Sequence, residues 1–214
     1  MVTTPHQYLK SNPVKFTDTS LILGTIHPHP TKSFKIDFFY GNRGSFWDML
    51  SAAFPKYKFN SVNSIKLTLR QRKVWISDMI LKCSRDSEKV TADERLKNIV
   101  SNFEQIKTGI IKSKIHTIFF TSSFGKNNAA KLFCKDFVIK PIPKLNESRE
   151  FEIDKKYFGR KITGIVLFSP SGIASKGISR SKLYLRKKEK YKSSKLPVKD
   201  FRIDFYRNAF KDIF

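Results

Sequence analysis

The 214-residue sequence is short of acid: 18 Asp and Glu stand against 42 Lys and Arg, for a formal net charge of +24. Such an excess binds polyphosphate by counterion release. A Lys-rich surface can also serve solubility alone. The aromatic content, 14% with 20 Phe, favours nucleic acid as the partner. Cysteine is nearly absent. Cys83 and Cys134 make neither a disulfide framework nor a zinc site, and read as reduced and buried in a cytoplasmic, nucleoid-associated protein. No apolar run approaches the ~20 residues of a membrane span, and the first residues lack the apolar core of a signal peptide. Neither export nor a membrane partner is expected. Only four histidines occur, and no His/Cys cluster has metal-ligand spacing. There is no phosphate-binding Walker loop and no dinucleotide fingerprint, so no metal and no cofactor is expected. Internal repeats and low-complexity tracts are also missing.

What is present is an alternation of strand-like and helix-like segments in a chain long enough for one full-sized core. A polar lead-in runs to Ser20, and Leu21 to Leu23 reads as a short buried strand. The stretch from Gly24 to Phe38 is punctuated by Pro28 and Pro30, whose preceding residues His27 and His29 are pushed to extended geometry, so it reads as a loop. Phe46, Met49, Leu50 and Ala53 predict a helix over Ser45 to Phe54, stopped by Pro55. Trp75, Ile76, Met79 and Ile80 suggest a helix or buried turn around Asp78, and Leu96 through Ile110 suggest a helix over Ala92 to Ile111. Thr117 to Phe120 reads as a strand, Asn127 to Cys134 as a helix, and Ile162 to Phe168 as a central strand. Lys176 to Lys199 holds ten Lys or Arg against one acid and reads as an exposed basic arm. Asp200 to Phe214, with Phe201, Phe205, Phe210 and Phe214, reads as a docking helix. The alternation argues an α/β fold with a mostly parallel sheet covered on both faces.

Two segments carry the functional signal: LILGTIHPHP at Leu21 to Pro30 and IVLFSPSGIA at Ile165 to Ala174. Each is a strand breaking into a loop, so both loops should stand at the sheet edge where open α/β domains bind ligands. Gly24 lets backbone approach a ligand, and the amides through Thr25 and Ile26 can hold an anion or a base edge. Asp37-Phe38-Phe39-Tyr40-Gly41-Asn42 offers flat surfaces; stacking of a base on an aromatic ring contributes about 1–3 kcal/mol. Phe39 or Tyr40 is the stacking candidate, while Phe46 and Trp47 read as a hydrophobic plug.

At these residues the chain resembles the uracil-DNA glycosylase superfamily, in particular its hypoxanthine-DNA and mismatch-specific branches. The resemblance covers about residues 20 to 180. It rests on LILGTIHP, on DFFYGNRGSFW, on ISDMILKCSR followed by IHTIFFTSS and NNAAKLF, and on Ser169-Pro170-Ser171-Gly172-Ile173-Ala174 in the place of a His-Pro-Ser-Pro-Leu-Ser motif. It implies a single three-layer αβα domain with a central, mostly parallel four-stranded sheet. Residues 21–180 would form the glycosylase-like domain, after a 1–20 lead-in. Residues 181–214 would add a basic segment and docking helix to the same domain.

The activity implied is hydrolysis of the N-glycosidic bond of a flipped base, with uracil or a deaminated purine as the family-level substrate. The partner is DNA, as a duplex with an extruded base or as a single strand, and the protein is expected to act as a monomer. No lysine is marked out as a nucleophile, so the enzyme would be monofunctional. His27 stands where several branches place a water-positioning Asp or Asn. It reads either as a general base or as a loop histidine bonded to a carbonyl. Asp37 would supply negative field or orient His27, or else cap a turn. Asn42 lies near the asparagine of the hypoxanthine branch, although counting from Trp47 puts Gly44 at that position. Ser169 replaces a histidine that bonds the leaving base. Pro170, Ser171 and Gly172 would grip phosphate, Ile173 would wedge the duplex, and Lys176 and Arg180 would meet the DNA backbone. Thr121 and Ser122 stand where an amide side chain usually reads the base, and hydroxyls there discriminate little. Asp78 matches a middle-region aspartate, read as structural first and as a pocket residue second. The alternatives are a DNA-binding module of the same fold without cleavage and, driven by the same charge, an RNA-binding protein.

Overall fold

A computed structural model describes residues 1–30, 34–41 and 45–214, with Ser45 and Ile173 described by backbone alone. In chain order the strands are β1 (Val2–Pro5), β2 (Ser20–Gly24), β3 (Val74–Asp78), β4 (Ile80–Arg85), β5 (Lys97–Ser101), β6 (Thr117–Phe120), β7 (Glu150–Ile153) and β8 (Ile162–Val166). The helices are α1 (Ser45–Ala53), α2 (Val62–Gln71), α3 (Phe103–Lys112), α4 (Ala129–Asp136), α5 (Lys155–Phe158), α6 (Ser175–Ser179), α7 (Lys182–Lys187) and α8 (Pro197–Ala209). Five strands form the main sheet in the order β3-β2-β6-β8-β7; the first four are parallel and β7 runs antiparallel to β8. The chain is thus α/β, and the expected four-stranded sheet is corrected to five by the antiparallel edge strand.

Strand alternation assigns the two cores. Leu21, Leu23, Ile118, Phe120 and Val166 join Ile106 and Ile110 of α3 and Phe133 of α4 on one face. Ile22, Ile76, Phe119 and Ile165 join Phe46, Trp47 and Leu50 of α1, Ile65 and Leu69 of α2, and Tyr206 and Phe210 of the C-terminal segment on the other. Full burial of one such side chain stabilises by roughly 1.5–3 kcal/mol, so a one-residue slip that exchanged the faces would forfeit the packing of both. Helices covering both faces are compatible with a three-layer αβα domain.

A second, antiparallel sheet, β1-β4-β5, lies outside this plan. Here the expected helix or turn around Asp78 is corrected. Val74 through Ile80 are all buried, and the chain passes at Met79 from β3 of the main sheet into β4 of the second. A short segment buried at every position suits a strand in a sheet covered on both faces, and its apolar residues alone do not separate strand from helix. The long helix expected over Ala92 to Ile111 is corrected too. Its first half is a short helical turn, Asp93–Arg95, followed by β5, and only Phe103–Lys112 is helical. Asn98 has a left-handed φ of 46°, which breaks helical hydrogen bonding, and pairing with β4 takes over.

Two further expectations change. The polar lead-in contains β1, and Asn12 covers the outer edge of β3 by donating to the Ile76 carbonyl and accepting from the Trp75 indole. The basic arm is folded: α6, α7 and a helical turn at Lys188–Tyr191 pack Ile178, Tyr184 and Tyr191 against Phe168 and Phe201. Those apolar anchors hold the segment, while all ten of its Lys and Arg remain exposed.

Candidate functional site

Because β2, β3, β6 and β8 are parallel, their carboxyl ends share one edge. The loops after β2 and β8 both rise there, two strands apart with β6 between them, a separation of about 10 Å. From β2 the chain first builds β3 on one side and later β6 on the other. The crevice between β2 and β6 is therefore the topological switch point, where open α/β sheets place their ligands.

Polar groups line this crevice on both sides. On the side of α1 and α8, the Tyr40 hydroxyl meets Thr121 Oγ1 at 3.1 Å, beside Gly24 and Asp78. A Cβ on Gly24 would come 2.0 Å from Tyr40 Oη and 2.2 Å from Asp78 Oδ1, so only glycine permits this approach. On the side of α3 and α4, Thr25 Oγ1 donates to Asp93 Oδ2 at 2.8 Å and lies 3.1 Å from Ser122 Oγ. Ser122 Oγ also accepts the Ala129 N–H that opens α4. Burial pushes the Asp93 carboxyl up to about 6, against the lowering effects of the Thr25 hydrogen bond and the Arg85 charge. Burial, reinforced by Asp78, holds the Tyr40 phenol well above its ordinary range, so it stays protonated. Ile26, half-buried, packs on the core beneath Thr25.

Of the two stacking candidates, Phe39 is removed. It is 1% exposed and enclosed by His6, Tyr8 and Phe38. Tyr40 is half-buried, with a left-handed φ of 58° and its ring 4.6 Å from that of Phe46. Its hydroxyl end reaches the crevice at Gly24 and Thr121. Phe46 and Trp47 are fully buried.

Asp78, His27 and Asp37 are each held by one of three consecutive residues of the N-terminal segment. His6 Nε2 donates to Asp78 Oδ2 at 2.8 Å, the Gln7 N–H donates to His27 Nε2 at 3.1 Å, and the Tyr8 hydroxyl donates to Asp37 Oδ1 at 3.0 Å. His27 Nδ1 lies 2.7 Å from the Pro28 carbonyl. With Nδ1–H donating there and Nε2 accepting, both ring nitrogens are occupied, and burial lowers the pKa of the ring. Of the two readings of His27, the geometry matches the carbonyl-bonded loop histidine. Asp37 is exposed and bonds Tyr8, whose ring intervenes between it and His27; it does not orient that ring. Asn42 lies outside the described residues. The buried Arg85 joins these parts by donating to Thr4 Oγ1, the Val90 carbonyl and the His27 carbonyl.

The second loop is built differently. Ser169 Oγ accepts the Ser171 N–H at 3.2 Å, so this hydroxyl stabilises its own turn. Arg202, buried on α8, donates to the carbonyls of Ser169 and Ser171, and the Tyr206 hydroxyl donates to that of Phe168. Pro170 is half-exposed, and Ser171 and Gly172 are exposed. The side chain of Ile173 lies outside the description. Lys176 and Arg180 are exposed on and just after α6, and of the ten cations between Lys176 and Lys199 only Arg186, Lys190 and Lys192 have acidic partners among the described residues.

Residues that sequence reasoning missed are thus His6, Tyr8, Arg85, Asp93, Arg202 and Tyr206. A weak signal existed for one of them: three of the chain's four histidines, His6, His27 and His29, lie within its first 30 residues. Among the described residues no group of three His, Cys, Asp or Glu could hold a metal ion, and no helix is long and apolar enough to cross a membrane. Chemically the crevice offers the carboxyl groups of Asp78 and Asp93 and four hydroxyls, those of Tyr40, Thr121, Thr25 and Ser122. No protein-family model matches the chain, and a search of curated proteins finds no match.

Proposed function

We propose that the protein is a monofunctional DNA glycosylase-like hydrolase on a uracil-DNA glycosylase-like fold, acting on a flipped base with uracil or a deaminated purine as substrate class. The observation that carries this reading is the polar crevice at the β2/β6 switch point, walled by Gly24, Tyr40, Asp78 and Thr121. A departing base leaves an oxocarbenium-like sugar, which calls for negative field, a positioned water and hydrogen-bond donors in a partly enclosed site. Tyr40 supplies a hydroxyl, and the exposed cations from Lys176 onward supply phosphate contacts. Duplex oligonucleotides bearing uracil, hypoxanthine or xanthine, treated with alkali after incubation, test it: strand breaks are expected on at least one.

One observation favours a second reading, a DNA-binding module without cleavage. Both nitrogens of His27 and the hydroxyl of Ser169 are hydrogen-bonded within the protein. Salt-sensitive binding with no breaks on any substrate would select that reading.

A further inference from the structure

The group best placed for hydrolysis belongs to neither loop. Asp78 ends β3 and is 4% exposed. Its Oδ2 accepts from His6, while its Oδ1 has no hydrogen-bond partner among the described residues. That free oxygen points at Gly24, next to the Tyr40 hydroxyl. A buried carboxylate oxygen left unpaired is costly, and in native structures such a group calls for an explanation, catalytic use among them. His6 is fixed in turn: its Nδ1 accepts the Tyr8 N–H at 3.1 Å, which leaves the proton on Nε2 for Asp78. The His6 side chain is 1% exposed, and its ring packs edge-on to that of His27 at 4.9 Å.

We propose that Asp78 is the carboxylate that faces the reacting sugar and that His6 is its positioning residue, so that the working pair comes from β3 and the N-terminal segment. The proposal rests on the glycosylase reading above and relocates its centre away from His27, Asp37 and Asn42. In the reaction the C1′–N bond breaks, with its electron pair leaving on the base nitrogen, and the carboxylate charge stabilises the cationic sugar. A water oxygen then bonds C1′ and its proton passes to Asp78 Oδ1, which returns it to the departed base. One water is consumed, and no oxidant or reductant is needed.

The test compares binding of two duplexes, one carrying a cationic pyrrolidine abasic analogue and one the neutral tetrahydrofuran analogue. Wild-type protein is expected to prefer the cationic analogue at least tenfold. Asp78→Asn, which keeps the shape and can still accept from His6, should abolish the preference. The exposed control Asp212→Asn should keep it. His6→Ala should weaken the preference, and His6→Gln, which can donate the same hydrogen bond, should restore part of it; equal behaviour of the two would overturn the positioning role.

No preference in the wild type would overturn the proposal without any variant, even if Asp78→Asn does not fold. Base release that survives Asp78→Asn within threefold would overturn it and leave the glycosylase reading standing. An Asp78-dependent preference with no base release from any duplex would do the reverse, removing the glycosylase reading and supporting Asp78 as the sugar-facing carboxylate.

Discussion

The loops after β2 and β8 stand at one edge of one sheet, yet they are built on opposite principles. The first is enclosed: Gly24, Thr25, His27 and Asp78 are buried, and their polar atoms are held by an N-terminal segment, a buried arginine and a second sheet. The second is open. Ser171 and Gly172 are exposed, their backbone is held from below by Arg202, and cations crowd the helices that follow. In a low-dielectric enclosure a carboxylate or hydroxyl acts strongly and without reorganisation, whereas an exposed cationic face suits phosphates, whose contacts fix position more than identity. The first loop thus has an enclosed, preorganised construction, and the second an open construction that suits phosphates.

A glycine in each loop breaks the comparison most directly. Gly24→Ala would drive a Cβ to 2.0 Å from Tyr40 Oη and 2.2 Å from Asp78 Oδ1, whereas a Cβ at Gly172 meets nothing within 4 Å. Overpacking of this kind costs about 1–3 kcal/mol, and it also displaces the two groups at the crevice. Gly24→Ala is therefore expected to lower the melting temperature by several degrees and to reduce base release by two orders of magnitude or more, about 2.7 kcal/mol in the barrier. Gly172→Ala should leave the melting temperature unchanged. Thermal unfolding of both variants checks this, and equal losses would mean that the first loop is no tighter than the second.

This contrast also marks how far the sequence could be read. Runs such as Thr117 to Phe120 and Leu21 to Leu23 are legible because a strand buried on both faces is apolar throughout, and Gly24 and Thr121 follow from where those runs stop. The organising contacts are not legible. His6 and Asp78 are 72 residues apart, Thr25 and Asp93 are 68 apart, and Arg85 and His27 are 58 apart. No local periodicity encodes such a meeting. Nor does composition separate an exposed arm from helices with exposed cations: Ile178, Tyr184 and Tyr191 fold the segment, but among so many lysines their spacing is inconspicuous. The two readings of His27 stay open in the sequence for a related reason, since the partner of its ring proton, the Pro28 carbonyl, is set by a backbone geometry that residue type does not reveal.

The open face is tested by charge. Lys176, Arg180, Lys182 and Lys187 are exposed and have no acidic partner among the described residues. Replacing all four by Gln should weaken DNA binding ten- to hundredfold at moderate salt, about 1.4–2.7 kcal/mol. The slope of log affinity against log salt should become shallower by up to about 0.9 for each phosphate that the variant no longer neutralises. The melting temperature should not fall, because the apolar anchors of the segment are untouched. An unchanged salt slope in an anisotropy titration would overturn the assignment of phosphate contacts to this face.

The smallest expected effect concerns the enclosed side and has the opposite sign. Asp93 is raised from 3.8 to about 6 by burial, with Arg85 and the Thr25 hydroxyl lowering it and Asp78 and Glu94 raising it. A carboxyl whose folded pKa exceeds its unfolded one contributes stability that is complete below about pH 4 and is lost as pH rises through about 6. At neutral pH the folded protein therefore carries an ionised group in a place that favours the neutral form, at a cost bounded by roughly 3 kcal/mol. Asp93→Asn keeps an acceptor for Thr25 and removes the charge. Its stability relative to wild type should rise by about 1–2 kcal/mol between pH 4 and pH 7 and then level off. Denaturant melts at pH 4, 5.5 and 7.5 check it, and a difference independent of pH would show that the Asp93 carboxyl is not strained by burial. If the same variant slows base release, the crevice keeps a destabilising acid because its chemistry uses one, as enclosed sites do when stability is exchanged for activity.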